Sequence, residues 1–457
     1  MGKNLNTREK RLINLLKSQN NSFILAIQQM DTADDRGGDE MERTVLHSDC
    51  NCFYASVEML HHPETRNVPM AVGGDPEARH GIVLTANYIA KRMGVKTGMA
   101  LWQARQVCPQ IVFISPHYDQ YIRFSRYARE IYSSFTDQQE PFGLDECWLD
   151  VTESTSIKGD GLKIAEEISS RIKKELGITV SIGVSWNKIF AKLGSDYKKP
   201  DAITVFTQEN FRKLIWPLPA GDLFYVGRAT QRKLGKLGIF TIGDIAESDP
   251  EILHSHLGKV GYVLYSYANG WNDDPVCKEG YEAPVKSVGN SCTTPRDLTT
   301  DLDVRIIQQA LAESVSARLR ENGFLCRTVE ISVRTNGLVW FSRQKKLPRP
   351  TNVTDEITKA AWELFRASYR WEAPIRSLGI RGTDLVSGQM PVQLDLFTNE
   401  QQRDKKKRMD RAVDEIRRRF GYYAVQRAFV YEDKALMKLD AKKDHTIHPA
   451  GYFHSAM

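Results

Sequence analysis

The sequence predicts an α+β chain of several domains, and three observations carry that prediction. Its 457 residues leave room for roughly three or four domains with ample cores. Between residues 45 and 205 the apolar runs follow the order strand, helix, strand, strand, helix, strand, the order of a ferredoxin-like unit with an inserted segment. Past residue 217 the chain turns helical with tight glycine turns, and from 286 to 384 it alternates strands with helices.

Composition narrows the function classes. The seven cysteines, at 50, 52, 108, 147, 277, 292 and 326, form no CxxC pair and have no His at zinc spacing. Their odd number suits reduced thiols in the cytoplasm better than a disulfide framework. No apolar run reaches the roughly 18–20 residues that span a bilayer, and no signal-peptide pattern opens the chain, so a soluble protein is expected. The net charge of +6 is modest, so nucleic-acid binding has to come from local basic patches.

Taken in order, residues 1–41 form a polar leader, with a short amphipathic pattern at Leu12, Ile13, Leu15 and Leu16 and a linker-like acidic end. An apolar strand follows from Val45 and ends in Asp49, which could cap the next element. Helix is expected from Phe53 to Leu60, strands at 68–74 and 81–86, and a short helix at 87–94 closed by Gly94. In that helix Tyr88 and Lys91 share one face, as a surface pair with a snorkelling lysine or as part of a site. A longer helix, 118–135, leads to Phe142–Asp150, and a strand is expected at 179–185. The helix predicted from Asn187 to Lys199 puts Lys188, Lys192, Ser195 and Lys199 on one polar face opposite Ile189, Phe190 and Leu193.

Residues 217–270 contain two glycine turns, at Gly227 and Gly238, that read either as helix-hairpin-helix grips on phosphates or as ordinary helix ends. A polar, turn-rich linker is expected near 273–284. Within 321–350, six Lys/Arg face two Glu, a local charge of +4, although Arg327 and Arg334 have opposite strand parity. The last segment pairs a short apolar motif, Gln393-Leu-Asp-Leu-Phe397, with a helix that repeats Met409, Ala412, Val413, Ile416 and Phe420 between basic runs.

The chemistry concentrates at Leu144-Asp145-Glu146 and Asp49. Two adjacent acids in an apolar run cost several kcal/mol to bury unless a positive charge compensates them. A divalent metal such as Mg²⁺ would do so; a solvated hairpin turn is the other reading. An Asp at one strand end beside an Asp-Glu pair in a neighbouring strand turn is a common way to assemble a two-metal phosphoryl-transfer site.

Asp49 to Glu58 together with Leu144-Asp145-Glu146 through Asp150 resembles the Y-family (translesion) DNA polymerases, the group containing bacterial DNA polymerase IV, and the likeness runs from about residue 43 onward. The resemblance implies a right-hand polymerase. Its ferredoxin-like palm would be 42–53 and 117–206, its small fingers 54–116, its helical thumb 207–272, its linker 273–284, and its α/β little finger 285–387. A tail, 388–457, would carry the peptide that holds the sliding clamp through Gln393, Leu394, Leu396 and Phe397.

The same resemblance implies that Asp49, Asp145 and Glu146 are catalytic and hold two Mg²⁺ with the Cys50 carbonyl. Tyr54, as sugar gate, Tyr88, Lys91 and Lys199 would contact the incoming deoxynucleoside triphosphate. Lys91 stands where the family usually has Arg, which loses the planar fork, and Asn51 where many members have Asp. The implied activity is distributive, low-fidelity DNA-directed DNA synthesis on primer-template DNA without proofreading, by a monomer with no membrane association. Nucleotide cyclases share such a palm but lack the hairpin thumb and clamp peptide, and a non-catalytic clamp-tethered protein would have lost the acids.

Overall fold

The computed structural model describes residues 43–74, 81–281, 284–390 and 399–441. The leader 1–41 and the clamp motif Gln393, Leu394, Leu396 and Phe397 lie outside them. The described chain divides into two compact units, one of 43–66 with 117–281, the other of 67–116 with 284–441.

In chain order the first half runs β1 (Val45–Cys50), α1 (Phe53–His61), β2 (Met70–Gly73), β3 (Val83–Ala86), α2 (Tyr88–Arg92), α3 (Leu101–Val107) and β4 (Val112–Ile114). It continues through α4 (Tyr118–Ser133), β5 (Gln139–Phe142), β6 (Glu146–Asp150), α5 (Gly161–Arg171), β7 (Val180–Ser185), α6 (Lys188–Tyr197) and β8 (Ile203–Val205).

The first unit is built on a five-stranded sheet of order β5-β6-β1-β7-β8, antiparallel except for the β7–β8 pair. Its first four strands have the ferredoxin-like order expected from the sequence. The central strand β1 is buried along its whole length, and strand parity divides its side chains between two environments. Leu46 and Cys50 join the core under α1, α4 and α5, with Val57, Ile131, Leu149, Ile164 and Ile182. Val45, His47 and Asp49 face the side that carries α6. That helix lies almost backbone to backbone on β7, because a Cβ on Gly183 would come within 1.9 Å of the Ala191 carbonyl oxygen. Asn187 caps α6 by accepting from the Phe190 N–H at 2.8 Å.

Two expectations change here. Phe53 and Val57 of α1 belong to this core, so the segment that leaves the unit is 67–116 rather than 54–116. That segment carries the small sheet β3-β2-β4. The helix predicted to reach Lys199 ends at Tyr197, so Lys199 is placed by the following loop. Its polar face is drawn into the fold: Lys188 pairs with Glu140 at 2.7 Å and Ser195 is fully buried.

The helical part, α7 (Arg228–Lys236), α8 (Ile242–Glu247), α9 (Pro250–Leu257) and α10 (Lys259–Ala268), packs Leu234, Ile242, Ile245, Leu253 and Leu264 into a core shared with Ile189, Phe190 and Leu193 of α6. Residues 272–281, expected as a free linker, are docked on the same unit. Val276 is buried among Val45, Trp148 and Ala191, the Cys277 N–H donates to Glu140 at 3.0 Å, and Arg43 donates to the Asp274 carbonyl at 2.8 Å.

The C-terminal part comprises β9 (Ser287–Leu298), α11 (Asp301–Glu321), β10 (Phe324–Thr335), β11 (Trp340–Thr351), α12 (Thr354–Ser368), β12 (Ile375–Ser387) and α13 (Glu400–Phe420). Its antiparallel sheet has the order β11-β10-β12-β9. The basic run Arg343, Lys345 and Lys346 lies exposed on the edge strand β11, where charge also discourages strand pairing with another chain. The helix expected in a tail is part of this domain: Arg320 pairs with Asp414 at 2.6 Å and Asp410 at 3.3 Å, Arg417 with Glu313 at 2.8 Å, and Arg403 with Glu356 at 2.8 Å. Beyond it Val430, Leu436 and Ala441 complete the core of α11, α12 and the sheet.

Candidate active site

Register brings the acids together. Asp49 on β1 sits directly opposite Glu146 on β6, and His47 opposite Trp148. Asp145 is not in a strand but closes the hairpin turn between β5 and β6, where Gly143 takes φ +84°, a conformation glycine adopts without strain. The Cys50 N–H donates to the Asp145 carbonyl at 2.9 Å, which ties this turn to the end of β1. Asp145 therefore occupies a hairpin turn, as one reading of the sequence had it, but a turn folded against the sheet, and Glu146 is the first residue of β6.

Crowding sets the protonation of the acids. Asp145 is pushed up to about 7 by burial, by the charge of Asp49 and by that of Glu146. Burial likewise raises Asp49 to about 6, against the pull of Lys199. Burial also acts on Glu146, yet His47 and Lys192 outweigh it and bring that carboxyl down to about 2. Lys192 contacts Glu146 directly, while Lys199 bonds Asp49 and Asp196, each at 2.6 Å. Behind Glu146, His47 is completely buried; its Nδ1 lies 2.8 Å from Ser195 Oγ and its Nε2 3.2 Å from Glu146 Oε2, a contact without hydrogen-bond alignment.

Among the described residues no three His, Cys, Asp or Glu side chains converge as a ready metal cluster; lysines close on the acids instead. The donor chemistry nevertheless fits a hard divalent cation. The carboxylates are close enough to suppress one another's ionisation, and a cation relieves such crowding. The Cys50 thiol is held protonated by burial, which leaves its carbonyl as the oxygen donor at that residue.

Tyr54 stands beside this cluster, its pKa pushed up to about 12 by burial and by the charge of Asp145. Its ring stacks on Tyr121 at 4.2 Å with 10° between planes and meets Tyr118 edge-on. Asp49, Asp145, Glu146, Tyr54 and Lys199 thus gather in the first unit. Tyr88 and Lys91 belong to the inserted segment of the other, with Lys91 Nζ 5.0 Å from the Tyr88 ring centroid.

Sequence reasoning gave Asn51 no role, yet it is the fastening of the Lys199 loop. Its side chain donates to Ser181 Oγ at 2.9 Å and accepts from the Asp201 N–H at 2.8 Å and the Thr179 hydroxyl at 3.0 Å. An ionised Asp could not make the donation. His47 was missed as well, although its spacing of two from Asp49 on one strand put both on one face.

Residues 48–196 match the impB/mucB/samB family model and 285–396 the model of that family's C-terminal domain. The DNA polymerase IV of Acetivibrio thermocellus is 51% identical over 399 residues, covering 87% of this chain and all of that protein. The DNA polymerase IV 1 of Bacillus subtilis is 38% identical over 382 residues, covering 83% and 91%. A solved Y-family DNA polymerase chimera of Dbh and Dpo4 shares the fold, with a TM-score of 0.66 and 24% identity over 75% of this chain and 99% of that one. The chain belongs to the impB/mucB/samB family, alongside the bacterial DNA polymerase IV proteins.

Proposed function

We infer that this protein is a DNA-directed DNA polymerase that extends a primer 3′ end on damaged as well as intact templates, and that it needs a divalent metal. The observation that carries the reading is the in-register pairing of Asp49 with Glu146 beside Asp145, in a chain that spans whole DNA polymerase IV relatives. Asp49, Asp145, Glu146 and the Cys50 carbonyl would hold two Mg²⁺. When bound there, such ions would supply Lewis acidity to the attacking hydroxyl and the leaving pyrophosphate.

The remaining work falls to the chain's own side chains. Lys199, shared between Asp49 and Asp196, is the cation that a triphosphate competes for, and Asn51 holds its loop in place. Tyr54 sets a wall beneath the sugar, braced by Tyr121. For Tyr88 and Lys91, contact with the triphosphate rests on the family resemblance alone. Exposed basic residues of β11 grip duplex phosphates, which makes affinity fall steeply with salt. Gln393 to Phe397 fills the groove of a sliding clamp, and the enzyme works as a monomer. Among the described residues no helix is long and apolar enough to cross a membrane.

Primer extension with Mg²⁺ on intact and lesion-bearing templates tests this reading. The wild-type chain extends both, and Asp49→Ala or Glu146→Ala extends neither while still binding DNA. Extension by either variant at near-normal rate would sink the mechanism.

A further inference from the structure

We propose that Glu58 is a positioning residue for sugar discrimination: its buried carboxylate anchors Tyr121, the ring on which the Tyr54 gate is stacked. The inference rests on Tyr54 being the gate. Glu58 is only 1% exposed and Tyr121 is fully buried. The Tyr121 hydroxyl donates to Glu58 Oε1 and accepts from the His117 N–H at 3.1 Å. His117 Nδ1 lies 3.0 Å from the same carboxylate oxygen, and His62 Nε2 lies 3.9 Å from the other. One acid therefore gathers a tyrosine and two histidines.

The geometry explains why an acid is spent there. Two rings 4.2 Å apart and 10° from parallel keep the upper ring in place only if the lower one cannot slide, and packing alone leaves a tyrosine free to translate along its neighbour. Two hydrogen bonds at the Tyr121 oxygen, one donated to Glu58 and one accepted from the His117 N–H, fix its position. His117 is also the first residue of the chain returning from the inserted segment, so the same carboxylate clasps the root of that insertion to α1. A purely structural role for Glu58 would affect folding and all nucleotides alike. A positioning role would move the ratio between ribonucleotide and deoxynucleotide incorporation.

The test measures kcat/KM for a ribonucleotide and its deoxynucleotide in the full-length enzyme, for wild type, Tyr54→Ala, Tyr121→Phe, Glu58→Leu and Glu58→Gln. Tyr121→Phe keeps the stacked ring and loses only the hydroxyl, so it carries the test should Glu58→Leu fold poorly. Tyr121→Phe and Glu58→Leu should each raise the ribonucleotide share about five- to tenfold, the equivalent of one net hydrogen bond. Glu58→Gln, which still accepts from Tyr121, should stay near wild type, and Glu58→Leu should add little in a Tyr54→Ala background. A relaxed ratio in Tyr54→Ala with unchanged ratios in Tyr121→Phe and Glu58→Leu overturns the role of Glu58 alone. An unchanged ratio in Tyr54→Ala itself overturns the gate and the anchor together.

Discussion

Replacing Asp145 by Asn should abolish primer extension and, in the same molecule, stabilise the metal-free fold at alkaline pH. The carboxyl of Asp145 rises from 3.8 to about 7 on folding, through burial and the charges of Asp49 and Glu146. The folded protein thus holds this proton more tightly than the unfolded chain. The stability that this proton contributes is lost as pH climbs from the unfolded value through the folded one, is gone above about 7, and is undiminished below 3.8. A rise of that size is worth at most about 4 kcal/mol; the neighbouring acids adjust their own protonation and reduce it to about 2–4 kcal/mol. For a unit of this size about 1 kcal/mol moves the melting temperature by roughly 2–4 °C, so the Asp145→Asn variant should melt several degrees higher than wild type at pH 8 in chelator. The advantage should shrink steadily toward pH 4. Adding Mg²⁺ should then raise the melting temperature of wild type by mass action and leave the variant nearly unmoved. Scanning calorimetry in EDTA at the two pH values decides it. A variant that melts at or below wild type at pH 8 refutes the idea that these acids are crowded against one another.

Deleting Gln393 to Phe397 should leave synthesis on a bare primer-template intact and remove stimulation by the sliding clamp, since the clamp contributes effective concentration rather than chemistry; equal stimulation of the deletion protein counts against the clamp assignment. Removing residues 1–40 should change neither activity nor melting temperature, and a large drop in the latter would mean that the leader packs on the core. Asp410→Ala takes a partner from both the part-buried Arg320, which keeps Asp414, and the buried Thr354 N–H, which donates to Asp410 at 2.8 Å. Leaving that N–H unsatisfied costs about 1–3 kcal/mol, so the C-terminal domain should melt early, and an unchanged calorimetric transition would show the contact to be expendable.

The acids and the ferredoxin-like order were legible because burial makes them conspicuous: a charged pair in an apolar run demands an explanation from one short window. Partners drawn from distant parts of the chain were not. Lys192 looked like one lysine of a polar helix face until Glu146 stood opposite it, and Asn51 looked like a departure from a pattern until Ser181 and Asp201 met it. The docked segment 272–281 hinges on Val276 alone among polar neighbours, too little apolar surface for any periodicity to flag. In α13 the amphipathic repeat was visible, but the helix is held mainly by ion pairs to Glu313, Arg320 and Glu356, which no repeat can announce. The division expected at 53/54 differs from the one at 66/67 for a related reason, since a helix can start a new segment in sequence while filling the old core in space.

The contact between Gly183 and Gly194, where a Cβ on the latter would come within 2.9 Å of the former's Cα, places two of the least structure-favouring residues in the middle of a strand and a helix. A helical glycine alone forfeits about 1 kcal/mol relative to alanine. What the molecule gains is reach: with strand and helix in backbone contact, Lys192 meets Glu146 on β6 and the short Ser195 meets His47 on β1. The pair acts as a spacer of fixed thickness between α6 and the sheet. Any thickening of it would lift Lys192 and Ser195 off their partners at once, while Lys199, carried by the loop beyond the helix, would keep a separate hold on Asp49.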